Sequence, residues 1–101
     1  QNMVGPGFFR AMGVSLLAGR EFRRSEVVGT PNVAIVNEAF VRKFNLGTDA
    51  VGKRMRFGGR REDPLDTEIV GVARDAHYSG VKDAVPPMMY RPWRQDSTVS
   101  A

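Results

Sequence analysis

The clearest hydrophobic pattern in the chain predicts a strand followed directly by a helix. Residues 33–36 form a continuous apolar run, which is typical of a short strand covered on both faces. Asn37 is a favourable N-cap for a helix over residues 38–44, and Gly47 is expected to end that element. The buried stripe of this helix is predicted to consist of three apolar residues, Phe40, Val41 and Phe44.

A second, shorter helix is predicted after the Gly-Pro-Gly sequence at residues 5–7. Pro6 suits the first helical turn, where its missing N–H would have no partner in any case. Gly13 suits the left-handed position that ends a helix. The apolar face of this helix is predicted to carry Phe8, Phe9 and Met12.

Two segments predict a β-hairpin. Residues 53–57 alternate between polar and apolar side chains, and residues 67–74 are rich in β-branched residues. The polar segment at 58–66 contains glycine and proline, so we expect the two strands to pair across it. Residues 75–85, which follow, are expected to be irregular.

Shorter strands and turns complete the prediction. Residues 14–17 and 88–90 have the composition of short strands, and Pro92 is expected to end the second because proline has no N–H to donate. Ser25 is a candidate cap for a single helical turn over residues 26–28.

Together these elements predict one small α+β domain. We expect a mixed or antiparallel sheet of four to five short strands with two short helices. The domain is expected to span residues 1–95, and the polar residues 96–101 are expected to fray.

Length and composition fit a domain of this kind and exclude several classes of site. The chain has 101 residues, and 15 Lys and Arg against 11 Asp and Glu give a net charge of +4. It has no cysteine, so disulfides, thiolate metal sites and cysteine nucleophiles are excluded. No apolar run approaches the ~18 residues of a membrane helix, and no signal peptide is recognisable. Because the sequence opens on Gln1, we expect it to be an excerpt of a longer protein.

Candidate catalytic chemistry is sparse. His77 is the only histidine, and Asp75 two residues away suggests a general-base pair. A catalytic set also needs a nucleophile or a metal, so a surface histidine beside an acidic residue is the favoured interpretation. A single histidine without cysteine also argues against a metal site. We therefore expect no enzyme activity, no cofactor and no metal.

The basic residues permit binding to an anionic partner without requiring it. They occur in small groups, but acidic residues are interleaved with them throughout, which is typical of a solvated surface of mixed charge. No nucleic-acid recognition motif is present, so nucleic acid is not an expected partner. A binding module for an anionic ligand or nucleic acid remains the alternative function.

Aromatic and basic residues near the end of the last strand have two interpretations. Tyr90 and Trp93 are expected to close the edge of the core, and this interpretation is favoured. The alternative is a contact surface for a partner. Its candidate residues are Tyr90, Arg91, Trp93 and Arg94.

As a whole, the sequence resembles the MacB-like periplasmic core domain of ABC-transporter permeases, and especially the duplicated permeases of Acidobacteria and related soil bacteria. The order and spacing of the matching segments agree from Val4 to Trp93. The sequence departs from the family pattern in turns, at Gly5, at residues 45–47 and at Ala50. The segments that carry the resemblance are 5–14, 16–22, 33–40, 51–57, 68–75 and 89–92. Because Gly5 stands where the family often has Ser or Thr, the first helix is expected to lack a side-chain cap.

The resemblance implies a place in a larger assembly. The parent would be a permease of the bacterial inner membrane, and this chain would be the smaller α+β lobe of its extracytoplasmic (periplasmic) domain. The implied partners are the transmembrane segments, a second lobe, a cytoplasmic ABC ATPase subunit or domain and a possible periplasmic accessory protein. The implied role is transport, efflux or mechanotransmission, without catalysis by this chain.

Overall fold

The chain folds around one mixed β-sheet that carries a short helix on each face. A computed structural model describes residues 2–27, 31–55, 67–75 and 85–93. The strands are β1 (Asn2–Val4), β2 (Leu16–Gly19), β3 (Val33–Asn37), β4 (Arg54–Met55), β5 (Thr67–Ala73) and β6 (Met89–Pro92). The helices are α1 (Phe8–Met12) and α2 (Glu38–Lys43), and a 3₁₀ turn covers Gly47–Asp49.

The two longest strands lie inside the sheet. The strand order is β1-β6-β3-β5-β2, and β4 pairs with β5 outside this path. Strand β3 is parallel to β5 and antiparallel to β6, whereas β1 is parallel to β6 and β2 is antiparallel to β5. Since β3 and β5 are parallel and joined through α2, these three elements form a β-α-β unit.

Alternating side chains of the sheet form two separate cores. On one face, Phe9 of α1 packs with Phe22, Ile35 and Val70. On the other face, Phe40 of α2 packs with residues that include Val36 and Ile69. Every residue of β3 is buried, as the continuous apolar run predicts for a strand covered on both sides.

The predicted fold class is confirmed, but the number of strands is wrong. The described residues contain six strands rather than four to five. The additional strand is β1, which has only three residues and therefore no recognisable periodicity. Its parallel pairing with β6 joins residues at opposite ends of the chain, a contact that a local pattern does not contain.

Strand β2 begins later than predicted. It covers Leu16–Gly19 instead of residues 14–17, and its last residue, Gly19, has a φ of 75°. A Cβ atom on Gly19 would overlap the Val70 carbonyl oxygen, so the close approach of β2 to β5 requires glycine at this position. The helical turn predicted after Ser25 does not form in the described residues 25–27.

The ends of the helices differ slightly from the prediction. Helix α1 begins at Phe8 with Gly7 as N-cap, so Pro6 precedes the helix, while Gly13 ends it in the left-handed conformation. Helix α2 starts after Asn37 as predicted and ends at Lys43. Two residues predicted to be buried are exposed, namely Met12 at 63 % and Phe44 at 47 %.

The predicted hairpin and the end of the last strand are confirmed. Strand β4 pairs antiparallel with β5, and Pro92 is the last residue of β6. The predicted connector at 58–66, most of the irregular segment at 75–85 and the polar tail at 96–101 lie outside the described residues.

Candidate functional site

The start of α2 is organised by one buried polar residue, Asn37, which is 2 % exposed. Its Oδ1 atom accepts hydrogen bonds from the backbone N–H groups of Phe40 and Met88, both at 2.9 Å. Its Nδ2 atom donates to the Pro86 carbonyl oxygen at 2.9 Å. Asn37 therefore caps α2 and also holds the segment that leads into β6.

Asp75 lies at the same helix start and has a structural role there. Its Oδ1 atom accepts a hydrogen bond from the Ala39 N–H at 2.9 Å, and its Oδ2 atom forms an ion pair with Arg42 at 2.9 Å. Its own N–H donates to Glu38 Oε1 at 3.0 Å. Both Asp75 oxygens are thus engaged with α2. The proposed partner in a general-base pair, His77, lies outside the described residues.

Helix α1 is capped by a residue distant in sequence. Its N-cap makes no side-chain hydrogen bond, as predicted, but the N-cap residue is Gly7 rather than Gly5. Glu21 supplies the missing acceptor, because its Oε1 atom accepts from the N–H groups of Phe9 at 2.9 Å and Arg10 at 3.3 Å. Sequence reasoning missed this role, since no spacing rule connects Glu21 to a helix that starts thirteen positions earlier.

The segment after β2 contains a second ion pair. Both Glu26 oxygens accept hydrogen bonds from Arg20, at 3.2 and 2.7 Å, and Oε1 also accepts from the Arg23 N–H at 2.6 Å. Burial raises the pKa of Glu26, but these hydrogen bonds and the charges of Arg20 and Arg23 outweigh burial, so the pKa lies below its ordinary value. Arg20 is therefore committed to a structural contact rather than free to bind an anion.

The four candidate contact residues do not share one surface. The Tyr90 ring packs in the core on the α1 side, with its centroid 4.9 Å from that of Phe9, and its hydroxyl lies 3.6 Å from Met88 Sδ. Arg91 is half-buried, and its Nε atom is buried without a hydrogen-bond partner in the described part of the chain. Trp93 is 43 % exposed, and Arg94 lies outside the described residues.

Trp93 lies close to the backbone at Gly5. A Cβ atom on Gly5 would be 3.2 Å from Trp93 Nε1, so a larger residue there would push the indole outward. Met3, which is 41 % exposed, is the register partner of Arg91 in the neighbouring strand. We call Met3, Arg91 and Trp93 the β1-edge surface, since all three lie at the β1 side of the sheet.

An apolar groove lies at the opposite edge of the sheet, between β2 and α2. It has a volume of about 420 Å³. Its apolar lining residues are Leu17, Ala18, Val41, Ala50 and Val72. Leu17 is 51 % exposed, because the adjacent Leu16 points into the core on the other face of the sheet. The sequence contains the signal for this, namely two consecutive leucines in one strand.

The part of the chain that the structure describes contains no candidate metal site. No group of three or more potential metal ligands occurs among those residues. The helices described there are also too short or too polar to cross a membrane.

Two comparisons relate the chain to known proteins. A crystal structure of a domain from a Porphyromonas gingivalis protein named as a permease is similar, with 28 % identity and a TM-score of 0.61. The similarity covers 90 % of this chain but only 38 % of that solved chain. No curated protein sequence matches. The family model of the MacB-like periplasmic core domain matches residues 1–100, and the chain therefore belongs to the family of MacB-like periplasmic core domains.

Proposed function

We propose that this chain is a non-catalytic, extracytoplasmic module of an ABC-type permease in a bacterial inner membrane. The family match over residues 1–100 is the observation that carries the proposal. The similarity to a domain of a protein named as a permease supports it. The module would couple to a cytoplasmic ATPase subunit or domain and serve transport, efflux or mechanotransmission.

The contacts of the described residues are consistent with a structural module. The buried or half-buried polar groups Asn37, Glu21, Glu26 and Asp75 each hold the backbone or pair with an arginine. A lever or docking module needs such fixed geometry, because motion imposed at one side must reach the other side without deforming the sheet.

Within this proposal, the β1-edge surface is the candidate contact with a partner, such as the rest of the permease or a periplasmic accessory protein. Trp93 offers a large amphipathic side chain that is 43 % exposed, and such residues often dominate binding energy at interfaces. Tyr90 would support this surface from the core side, and Arg91 would contribute a charge to it. Arg94 follows Trp93 directly in the sequence and stays a predicted member of the same surface.

Membrane topology tests the proposal. Because this chain has no cysteine, Met12→Cys in a parent permease whose remaining cysteines are replaced by serine gives one reactive thiol at a position that is 63 % exposed. We expect a membrane-impermeant maleimide to label this thiol in intact spheroplasts. A thiol labelled only after lysis would place the module in the cytoplasm and refute the proposal.

The β1-edge surface is tested by Trp93→Ala with Phe44→Ala as a matched control, since Phe44 is a similarly exposed aromatic residue that lies at the end of α2. We expect transport by the parent to fall for Trp93→Ala only, with unchanged stability of the isolated chain. Equal transport by the two variants would remove Trp93 from the contact.

A further inference from the structure

We infer that the groove between β2 and α2 is an intramolecular docking site, covered by apolar side chains from another part of the parent's extracytoplasmic domain. This inference rests on the proposed function, since it requires a parent longer than this chain. The groove is named the Leu17 groove after its largest exposed apolar residue.

The lining of the Leu17 groove determines the chemistry of its occupant. Its floor is apolar, with Val41 from α2 and Val72 from β5 beside Leu17. The charged residues that line it, Glu38 and Arg42, both interact with Asp75. With these charges already engaged, the Thr48 hydroxyl is the remaining polar side-chain group among the described lining residues, which is little to orient a small polar ligand. An occupant would gain chiefly by removing apolar surface from water.

The edge of the sheet at this point favours side-chain packing over strand addition. Strand β2 pairs only with β5 within the described residues, so it forms an edge of the sheet. The β2–β5 register shifts between Leu16 and Ala18, which places Leu17 at a bulge. Bulges disrupt the regular array of backbone groups that an added strand would need, and they redirect a side chain. Leu17 is therefore suited to pack against side chains of an occupant, and the strand edge is not suited to pair with an added strand.

The extent of the related solved structure argues for an occupant within the same polypeptide. This chain matches only 38 % of that solved domain, so most of that domain has no counterpart in this chain. The groove is lined by nine of the described residues, whereas a stable interface between separate proteins takes roughly 20–30 residues from each partner. A tethered segment needs far less contact area, because the tether provides a high effective concentration.

Cysteine accessibility tests the inference directly in this cysteine-free chain. Leu17→Cys places a thiol in the groove, and Met12→Cys places one on the other face of the sheet. Val36→Cys, at 0 % exposure, gives the rate of a buried thiol. Thr48→Cys, at the other side of the groove, repeats the measurement if Leu17→Cys lowers stability.

We expect Leu17→Cys and Met12→Cys to react with maleimide at similar rates in the 101-residue chain. In the detergent-solubilised parent, with its remaining cysteines replaced by serine, we expect the ratio of the Leu17→Cys rate to the Met12→Cys rate to fall by about tenfold or more, because a covered thiol reacts only through local opening. An unchanged ratio in the parent would overturn the inference.

Two other outcomes would also overturn it. Protection of Leu17→Cys that grows with the concentration of the 101-residue chain would identify a second copy as the occupant. Protection equal to that of Val36→Cys in the dilute short chain would show that the chain covers the groove itself. Failure of the proposed function would give a different result, namely Met12→Cys labelling only after spheroplasts are lysed. The groove is tested separately, by the ratio of two labelling rates in detergent.

Discussion

The two helices of this domain are similar in length but differ in how their first turns are capped. Helix α2 starts after Asn37, the residue that caps it, whereas α1 starts after Gly7, which provides no side-chain cap. Each also receives a carboxylate from a distant segment, Asp75 at α2 and Glu21 at α1. Helices this short are not stable alone in water. The comparison shows that α2 combines local and distant caps, while α1 depends on the distant one.

The largest effect is expected at Asn37. Asn37→Ala removes two accepted hydrogen bonds and one donated bond at a buried position, which should lower the free energy of unfolding by about 2–4 kcal/mol. Urea denaturation measures this change. Asn45→Gly, which removes an exposed asparagine at a φ of 54°, is the control and should change stability by no more than about 0.5 kcal/mol. Equal losses for the two variants would contradict the role given to Asn37.

The next largest effect is expected at Glu21, the distant cap of α1. Glu21→Ala leaves the first N–H groups of α1 without a side-chain acceptor and should lower the free energy of unfolding by about 1–2 kcal/mol. Glu21→Gln keeps an oxygen at this position and should recover at least half of the loss. The same denaturation experiment compares the two variants, and a loss as large for Gln as for Ala would exclude a capping role.

A smaller effect is expected at Asp75. Asp75→Ala removes the contact with the Ala39 N–H and the ion pair with Arg42, but Asn37 still caps α2. The Arg42 side chain is 65 % exposed, so solvent screens the pair. We expect a loss of about 0.5–1 kcal/mol, below that of Glu21→Ala. A larger loss at Asp75 than at Glu21 would reverse the comparison between the helices.

An effect no larger than that at Asp75 is expected in the segment that carries Glu21, which is held by the contacts of Glu26 with Arg20 and Arg23. The pKa of Glu26 is lowered in the folded state, so its contribution to stability is present above the ordinary pKa of 4.5 and is lost as pH falls through the folded pKa. Glu26→Gln should therefore reduce the acid sensitivity of Tm and change stability by about 1 kcal/mol or less at neutral pH. Parallel pH profiles of the variant and the unaltered chain would contradict this.

The features predicted from the sequence are those with local causes. The β3–α2 unit, the Asn37 cap, the Gly13 helix end and the β4–β5 hairpin each depend on residues near one another in the chain. Strand β1 and the Glu21 cap depend on contacts between distant segments, and the sequence alone does not contain them. Phe44 illustrates another limit, since helical periodicity places it beside Phe40 but does not determine how far the sheet extends beneath it.

Only part of the two candidate surfaces could be predicted from the sequence. The aromatic and basic residues near Pro92 drew attention to the end of β6, but strand alternation assigns Tyr90 to the core and Arg91 to the opposite face. The Leu17 groove was not predicted. Its apolar residues look like ordinary core residues in the sequence, and only the strand order shows that β2 lies at an edge.

The parallel pairing of β1 with β6 has a mechanical consequence. In a parallel pair, the first residue of one strand and the last residue of the other lie at opposite ends of the ladder. Tension applied through Asn2 and Pro92 would therefore shear the pair and load its hydrogen bonds together, instead of peeling them apart one at a time. Pulled along this direction, the domain would behave as a stiff link. Strands β2 and β5 are antiparallel, so the same force applied at their adjacent ends would separate their hydrogen bonds one after another.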